Sequence, residues 1–415
     1  MKRIRYFHHT LIGKIFFSFL GVILAAAAVI FSPWGNRLTA PLIEKSLTSA
    51  FSTPITLQEY GLTPNQFQLL FQDQYGNTFS TQGGFSLLTL RMYAHYRLSC
   101  FQHGGINPLF SPFKTEGSLS GGIASLLIQG NGDMFGGDLI YKIELHRFHL
   151  ASLNLKADKI AYTPLMQLLK YPSDTDTLLT GGIDLRGFDQ RYVEGSILLN
   201  SKTRRFNPTP IAKDNNESVT LKSLLADKYG DVKPFNVKVT INTSLDHAGI
   251  LEQFVGMPLG GALELNATLT GDQKLLRLKG NSDVARSDTS ISLTIADLEP
   301  SKLSFDCKHA DLEQTFKLFA LTPPISGSGD LYGELNTTGG SVNVIITEAS
   351  TVPKVLFQEY QITQPLIRFD AEVHADLSKK GVHYRGSFQS DLSRMETDNT
   401  TTHEQMLRDL LKSLH

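Results

Sequence analysis

The clearest periodicity in the chain lies between Phe235 and Gly271. Phe235, Val237, Val239 and Ile241 alternate with polar residues, and a period of two predicts a strand with one apolar and one polar face. A short helical turn is predicted over Asp246 to Gly256, where Ile250, Leu251, Phe254 and Val255 share a face and Gly256 and Pro258 end the element. Gly260 and Gly261 then release a second strand, with Leu263, Leu265, Ala267 and Leu269 on one face and Glu264, Asn266 and Thr268 on the other. The same order of apolar turn, proline, glycine and strand recurs at Leu165 to Leu185 and at Phe316 to Leu335, a degenerate repeat.

Alternation continues through most of the chain. Strands are expected from Ile55 to Leu98, including one long run from Phe85 to Leu98, and three more from Leu127 to Ala157, joined by glycine turns. Others are expected at Leu275–Leu278, Ile291–Ile295, Leu303–Cys307, Val342–Ile346, Ile367–Leu377 and Val382–Phe388. Leu38, Leu42, Ile43, Leu47 and Phe51 form a helical stripe that would lie on a membrane or dock on the first strands. Asn200 to Asp231 is polar and reads as a surface excursion with a short helix at Leu221–Leu225. Ser390 to Thr402 reads as a polar linker. His403 to His415 reads as an amphipathic helix with Met406, Leu407, Leu410, Leu411 and Leu414 on one side.

The N-terminus departs from this pattern. Lys2, Arg3 and Arg5 precede an apolar run from Leu11 to Phe31, and about 20 such residues span a bilayer as a helix. Trp34 sits where an interfacial aromatic belongs. A cleavable signal peptide is the rival, since Ala25 to Ala28 offers a small-residue cleavage site. Either way the basic end stays inside and the rest is exported. The expected layout is a cytoplasmic segment 1–10, a transmembrane helix 11–31, a β region 35–150 with a short helix after the membrane, repeated β modules 151–390, and a linker with terminal helix 391–415.

Composition narrows the function. Formal net charge −1 with 19% charged and 41% apolar residues describes neither a disordered tail nor a nucleic-acid binder. Two cysteines, Cys100 and Cys307, form no disulfide framework or metal motif; each sits in an apolar strand setting, where a free thiol acts as a small hydrophobe. Gly130–Gly137 and Gly327–Gly333 have spacing one residue too long for a dinucleotide loop and lead into strands, so they read as hairpin turns. His146 and His149 fall on opposite faces of a strand and make a poor metal pair. No catalytic motif is found. The expectation is therefore a non-enzyme without cofactor or metal.

The basic N-terminus, the single membrane helix, the segment NRLTAPLIEKSLTSAFSTPITL outside it and the helix-Pro-Gly-Gly-strand units resemble the AsmA family of inner-membrane-anchored periplasmic proteins of Gram-negative bacteria. The wider bridge-like lipid-transfer group to which that family is related folds a long antiparallel sheet into a gutter whose apolar face carries acyl chains. NGDMFGGDLIYKIEL followed by LLTGGIDLRG is also similar to the periplasmic part of type II secretion protein N. The fold expected is mainly β: an elongated antiparallel array, either a curved gutter or a stacked sandwich, with short interspersed helices. An uncovered sheet face must be closed by a sheet, by helices or by a ligand. On the gutter reading Val237, Val239, Ile241, Leu263, Leu265, Leu269, Ile291, Leu293 and Ile295 would line a groove for phospholipid or glycolipid. The implied role is lipid transfer or outer-membrane assembly. The alternative is a structural part of an envelope secretion machine, with no lipid, in which the terminal helix docks a partner protein.

Overall fold

The computed structural model describes residues 29–86, 88–101, 112–122, 124–168, 173–207, 234–252, 259–318, 323, 325–351, 367–378 and 381–402. The greater part of the transmembrane prediction, the helix predicted at 221–225 and the amphipathic helix predicted at 403–415 lie outside them. Among the described residues no helix is long and apolar enough to cross a membrane. The chain forms two compact units, residues 1–151 and 152–415, and both are built mainly from strands.

Unit 1 is an antiparallel meander of seven strands: β1 (Ile55–Leu62), β2 (Gln66–Asp73), β3 (Thr78–Ser86), β4 (Arg91–Cys100), β5 (Phe113–Gly122), β6 (Ser125–Met134) and β7 (Gly137–His146), each paired with the next. The run predicted from Phe85 to Leu98 is broken by a turn at residues 88–90. No glycine or proline marks that turn; Leu90 itself takes the left-handed conformation (φ 51°), so pattern reading had no signal to use.

Before β1 lies helix α1 (Pro33–Phe51), whose first turn is capped by Ser32 accepting from the Gly35 amide at 3.0 Å. The expectation that α1 docks on the first strands holds, through the Ile43, Leu47 and Phe51 part of the stripe, with the Phe51 ring 5.9 Å from Phe71, and also through polar side chains. The Asn36, Glu44 and Thr48 side chains accept hydrogen bonds from the amides of Leu62 (3.2 Å), Leu57 (3.0 Å) and Ile55 (3.2 Å). An edge strand has a row of unpaired backbone donors, and α1 satisfies them with its polar side. Leu38 and Leu42 of the predicted stripe consequently remain exposed.

Strand β8 (His149–Ala161) carries the chain from unit 1 into unit 2. Unit 2 continues with α2 (Tyr162–Leu168), β9 (Asp176–Arg186), β10 (Tyr192–Arg205), β11 (Asn236–Leu245), β12 (Leu263–Asp272), β13 (Leu275–Ser282), β14 (Asp288–Ala296), β15 (Glu299–Asp311), α3 (Leu312–Leu318), β16 (Ile325–Asn336), β17 (Gly339–Thr351), β18 (Arg368–Ser378), β19 (Gly381–Ser390) and β20 (Arg394–Thr401). From β8 onward each strand pairs antiparallel with the next, except β10 and β11, which run parallel from Tyr192 opposite Asn236 to Asn200 opposite Ser244. The start of the predicted polar excursion, Asn200–Arg205, belongs to β10. Most of the predicted linker 391–402 is β20, paired with β19 from Gln389–Arg394 to Val382–Thr401; an all-polar strand at the end of a sheet lacks the apolar alternation by which strands are recognised.

The repeat read from the sequence has a structural basis at one end of unit 2. Strands β8, β15 and β17 each carry a bulge there, and in each a residue turns left-handed: Lys159 (φ 57°), His309 (φ 55°) and Glu348 (φ 53°). The amide freed at each bulge donates to the neighbouring strand, to Thr180 Oγ1 (3.1 Å), Asp330 Oδ1 (2.7 Å) and Asp370 Oδ1 (2.7 Å) respectively. Each bulge swings the next residue inward, so that Ile160, Ala310 and Ala349 are buried. Helices α2 and α3 follow two of these bulges. Leu312 of α3 packs with Ala349 and Phe369 against Ile346, Ala371 and Phe388, closing one end of the apolar face. The third predicted helical turn is a 3-10 turn at Ala248–Leu251, whose Ile250 carbonyl accepts from the Tyr162 hydroxyl of α2 at 2.5 Å.

Candidate functional site

The nine residues singled out from the sequence lie on the same face of unit 2, on strands β11, β12 and β14. Register explains how. Val239 stands opposite Leu269, Leu269 opposite Leu278 of β13, and Leu278 opposite Leu293, which faces Leu303 of β15. A second row runs Ile241, Ala267, Gly280, Ile291 and Phe305. Ile295 is opposite Leu276, Leu265 opposite Thr243, Leu263 opposite Leu245 and Val237 opposite Gly271.

These rows extend beyond the residues predicted. The first continues through Gly195, Leu185 and Leu153 in one direction and through Leu335, Gly340, Leu377 and Val382 in the other. The second continues through Ile197, Ile183 and Leu155, and through Gly333, Val342, Ala375 and Tyr384. The strand expected at Leu275–Leu278 is β13, and it runs on to Ser282; its Leu276, Leu278 and Gly280, which complete the surface between β12 and β14, were not among the residues singled out. Sequence reasoning missed the parallel pair, which lets β10 and β11 present Ile197 and Ile241 side by side although 30 residues separate the two strands.

Burial along this face is graded. Val239, Ala267 and Leu276 are buried, whereas Val237, Ile241, Leu263, Leu265, Leu269, Ile291, Leu293 and Ile295 are half-buried. The opposite face is mainly polar: Ser196, Thr240, Thr268, Lys279, Ser292, Ser304 and Glu334 lie in register across it, with Leu198, Leu275 and Tyr332 exposed on the same side. Unit 2 is thus an amphipathic sheet whose aliphatic side chains sit in rows along successive strands, with helices closing one end.

The polar groups near the face are structural. Asp246, after β11, accepts from Ser201 Oγ (2.6 Å), the Thr203 amide and Thr203 Oγ1 (2.9 Å), and its own amide donates to Ser201 Oγ (3.1 Å), which ties the parallel seam together. Partial burial pushes the Asp246 carboxyl upward, but the hydrogen bonds from Ser201 and Thr203 outweigh it and hold the group below the usual carboxylate range. Burial, and then the nearby Asp73 carboxylate, push the Cys100 thiol of unit 1 up to about 11; Cys100 and Cys307 are both free and buried, inert small hydrophobes as expected. Among the described residues no group of three or more His, Cys, Asp or Glu side chains could hold a metal ion.

Unit 1 also has an apolar face, made of Phe67, Leu69, Phe71, Phe79, Phe85, Leu119 and Ile128 on neighbouring strands. It is interrupted by a polar bridge: the Tyr96 and Tyr141 hydroxyls lie 2.6 Å apart and Thr115 Oγ1 is 2.7 Å from Tyr141. The two rings run across Gly117 and Gly130, where any Cβ would collide with their hydroxyls.

No family model, no curated protein and no solved structure matches the chain.

Proposed function

We propose that this is a membrane-tethered, AsmA-like protein that shields or transfers lipid acyl chains, with unit 2 forming the contact surface and the chain held by residues 11–31 in the bacterial inner membrane, its bulk in the periplasm. The observation that carries the reading is the pair of mainly aliphatic rows crossing unit 2, with glycine at four positions and Phe305 and Tyr384 at two, most of whose large members are only half-buried. In a closed sandwich a second sheet about 10 Å away would cover such a face fully. Leucine, isoleucine and valine in rows provide a continuous apolar surface with little directional chemistry, suited to an acyl chain and unsuited to catalysis.

The register supplies the test. A benzophenone amino acid replacing Leu293 sits on the apolar face, whereas one replacing Ser292 sits on the polar face. Irradiation in cells should give phospholipid or glycolipid adducts at position 293 and none at 292, read by mass spectrometry of the purified chain. Absence of lipid at 293 overturns the reading. Protein adducts there instead would favour the ligand-free role in an envelope secretion machine.

A further inference from the structure

The two ends of unit 1 differ in a way that folding does not explain. In an antiparallel meander alternate turns fall at the same end, so the turns after β1, β3, β5 and β7 share one end with the start of α1, which runs antiparallel to β1. The turns after β2 and β6 share the other. Each end has a turn with an aromatic residue in the left-handed conformation: Phe148 (φ 64°) after β7 and Phe135 (φ 51°) after β6. Phe135 is tucked in at 3% exposure, whereas Phe148 projects at 64%; the second end exposes Phe51, Tyr75 and Phe101 to a lesser degree, at 38–50%. Leu88, after β3, is 97% exposed, and its neighbour Leu90 and Trp34 of α1 are exposed too. Among the described residues these side chains stand uncovered at one end of the sheet, and exposed apolar side chains grouped in this way mark a candidate interaction surface.

Charge divides along the same line. Residues 29–40, 63–66, 86–91, 121–125 and 146–149, which make the first end, contain Arg37, Arg91 and Arg147 and no carboxylate. The other end carries Asp73, Asp133 and Asp138 with one cation, Lys114 opposite Asp133. The first end is also where the apolar run leading into α1 arrives: Val29 and Ile30 are helical and exposed, and the Phe31 ring packs on Phe85 with centroids 6.4 Å apart. A cleft of about 1040 Å³ opens there, with Phe85, Met92 and Tyr93 in its wall.

We infer that this end of unit 1 is a bilayer-contacting rim, in which Leu88, Leu90 and Phe148 enter the interfacial layer of an anionic membrane and Arg91 and Arg147 meet its phosphates. Projecting apolar residues beside cations and away from carboxylates is the composition of an interfacial anchor. Each arginine near an anionic surface contributes about fivefold to its attraction. The inference rests on the membrane-tethered reading and adds to it which surface faces the lipid; the cleft then opens toward the bilayer.

The test places a reporter on each end of the full chain. Trp34 is the only tryptophan, so in a Trp34→Phe background Leu88→Trp or Phe148→Trp reports the first end and Tyr75→Trp the second. The chain is reconstituted in phosphatidylethanolamine–phosphatidylglycerol vesicles containing brominated acyl chains. Tryptophan at 88 or 148 should be quenched severalfold more than at 75. Adding Arg91→Gln and Arg147→Gln should weaken that quenching in anionic vesicles and leave it unchanged in vesicles of phosphatidylcholine alone. Equal quenching at both ends in vesicles that carry the chain on flotation overturns the rim alone. Failure of the chain to float with vesicles overturns the tether and the rim together.

Discussion

Unit 1 and unit 2 are both amphipathic antiparallel sheets, yet they finish their apolar faces with different side chains. In unit 1 rings cover one another: Phe71 lies 5.1 Å from Phe79 and 5.9 Å from Phe51 of α1, Phe67 lies 6.3 Å from Phe85, and Tyr96 and Tyr141 lie across glycines. In the central strands of unit 2 the same positions hold leucine, isoleucine and valine. An aromatic ring is large enough to shield its neighbours within a single layer. An aliphatic side chain standing upright from a sheet covers less. Both faces are mostly half-buried, with Phe71 buried in one and Val239, Ala267 and Leu276 in the other, so the difference lies in the kind of side chain that covers each sheet, rings packed on rings in unit 1 and aliphatic rows in unit 2.

The largest effect should come from breaking the ring-packed face of unit 1 at its buried centre. Phe71 is buried, and Phe71→Ala should cost unit 1 about 3–5 kcal/mol, the range for emptying an aromatic site in a packed core. Leu293→Ala on the half-buried face should cost unit 2 only about 1 kcal/mol, because part of the side chain already meets solvent. Hydrogen exchange of the full chain, read on peptides from each unit, separates the two. Equal losses would mean that the unit 2 face is as closed as that of unit 1.

Strand positions and their apolar faces were legible because alternation has one meaning wherever a sheet has one buried side, and Val237 to Ile295 came together as that rule requires. The devices that shape the sheets were not legible. Lys159, His309 and Glu348 turn left-handed at bulges without any glycine, so these bulges, two of which precede the repeated helical turns, leave no mark in a propensity reading. The turn at residues 88–90 and the exposed Phe148 break the expectation that turns are polar. The docking of α1 was foreseen, and Phe51 of its stripe packs on Phe71, but the hydrogen bonds from Asn36, Glu44 and Thr48 were not, because β1 needs acceptors along its outer edge, which a helical stripe of leucines cannot reveal. Strand β20 was read as a linker for want of any apolar residue other than Met395.

A smaller effect sharpens what the aromatic bridge contributes. The Tyr141 hydroxyl links Tyr96 and Thr115, and Tyr141→Phe removes that link while keeping the ring over Gly130. Thr115 keeps its hydrogen bond to the Asn131 carbonyl (2.9 Å), so the loss should be about 1 kcal/mol, the net worth of one hydrogen-bonded group. Tyr96→Phe combined with it should add less than its own separate cost, since both changes delete the same contact. Additive losses measured by the same exchange on unit 1 peptides would show that the hydroxyls act independently.

The smallest effect concerns the one parallel pair, a feature that unit 1 lacks. Asp246 fastens β10 to β11 through Ser201 and Thr203, and its carboxyl sits below the ordinary carboxylate value because those donors favour the charged form over the cost of partial burial. A group whose folded pKa is depressed contributes stability that is complete above its unfolded pKa and is lost as the pH falls through the folded one. Asp246→Asn should therefore destabilise unit 2 at neutral pH, by roughly 1 kcal/mol or less given how exposed the carboxylate is. The gap between wild type and variant should close on the acid side of the ordinary carboxylate range, where the wild-type carboxyl is also neutral. Thermal unfolding of both proteins between pH 7 and pH 3 measures it. A gap that stays constant with pH would show that Asp246 holds the parallel seam by shape and neutral hydrogen bonding, with its charge contributing nothing.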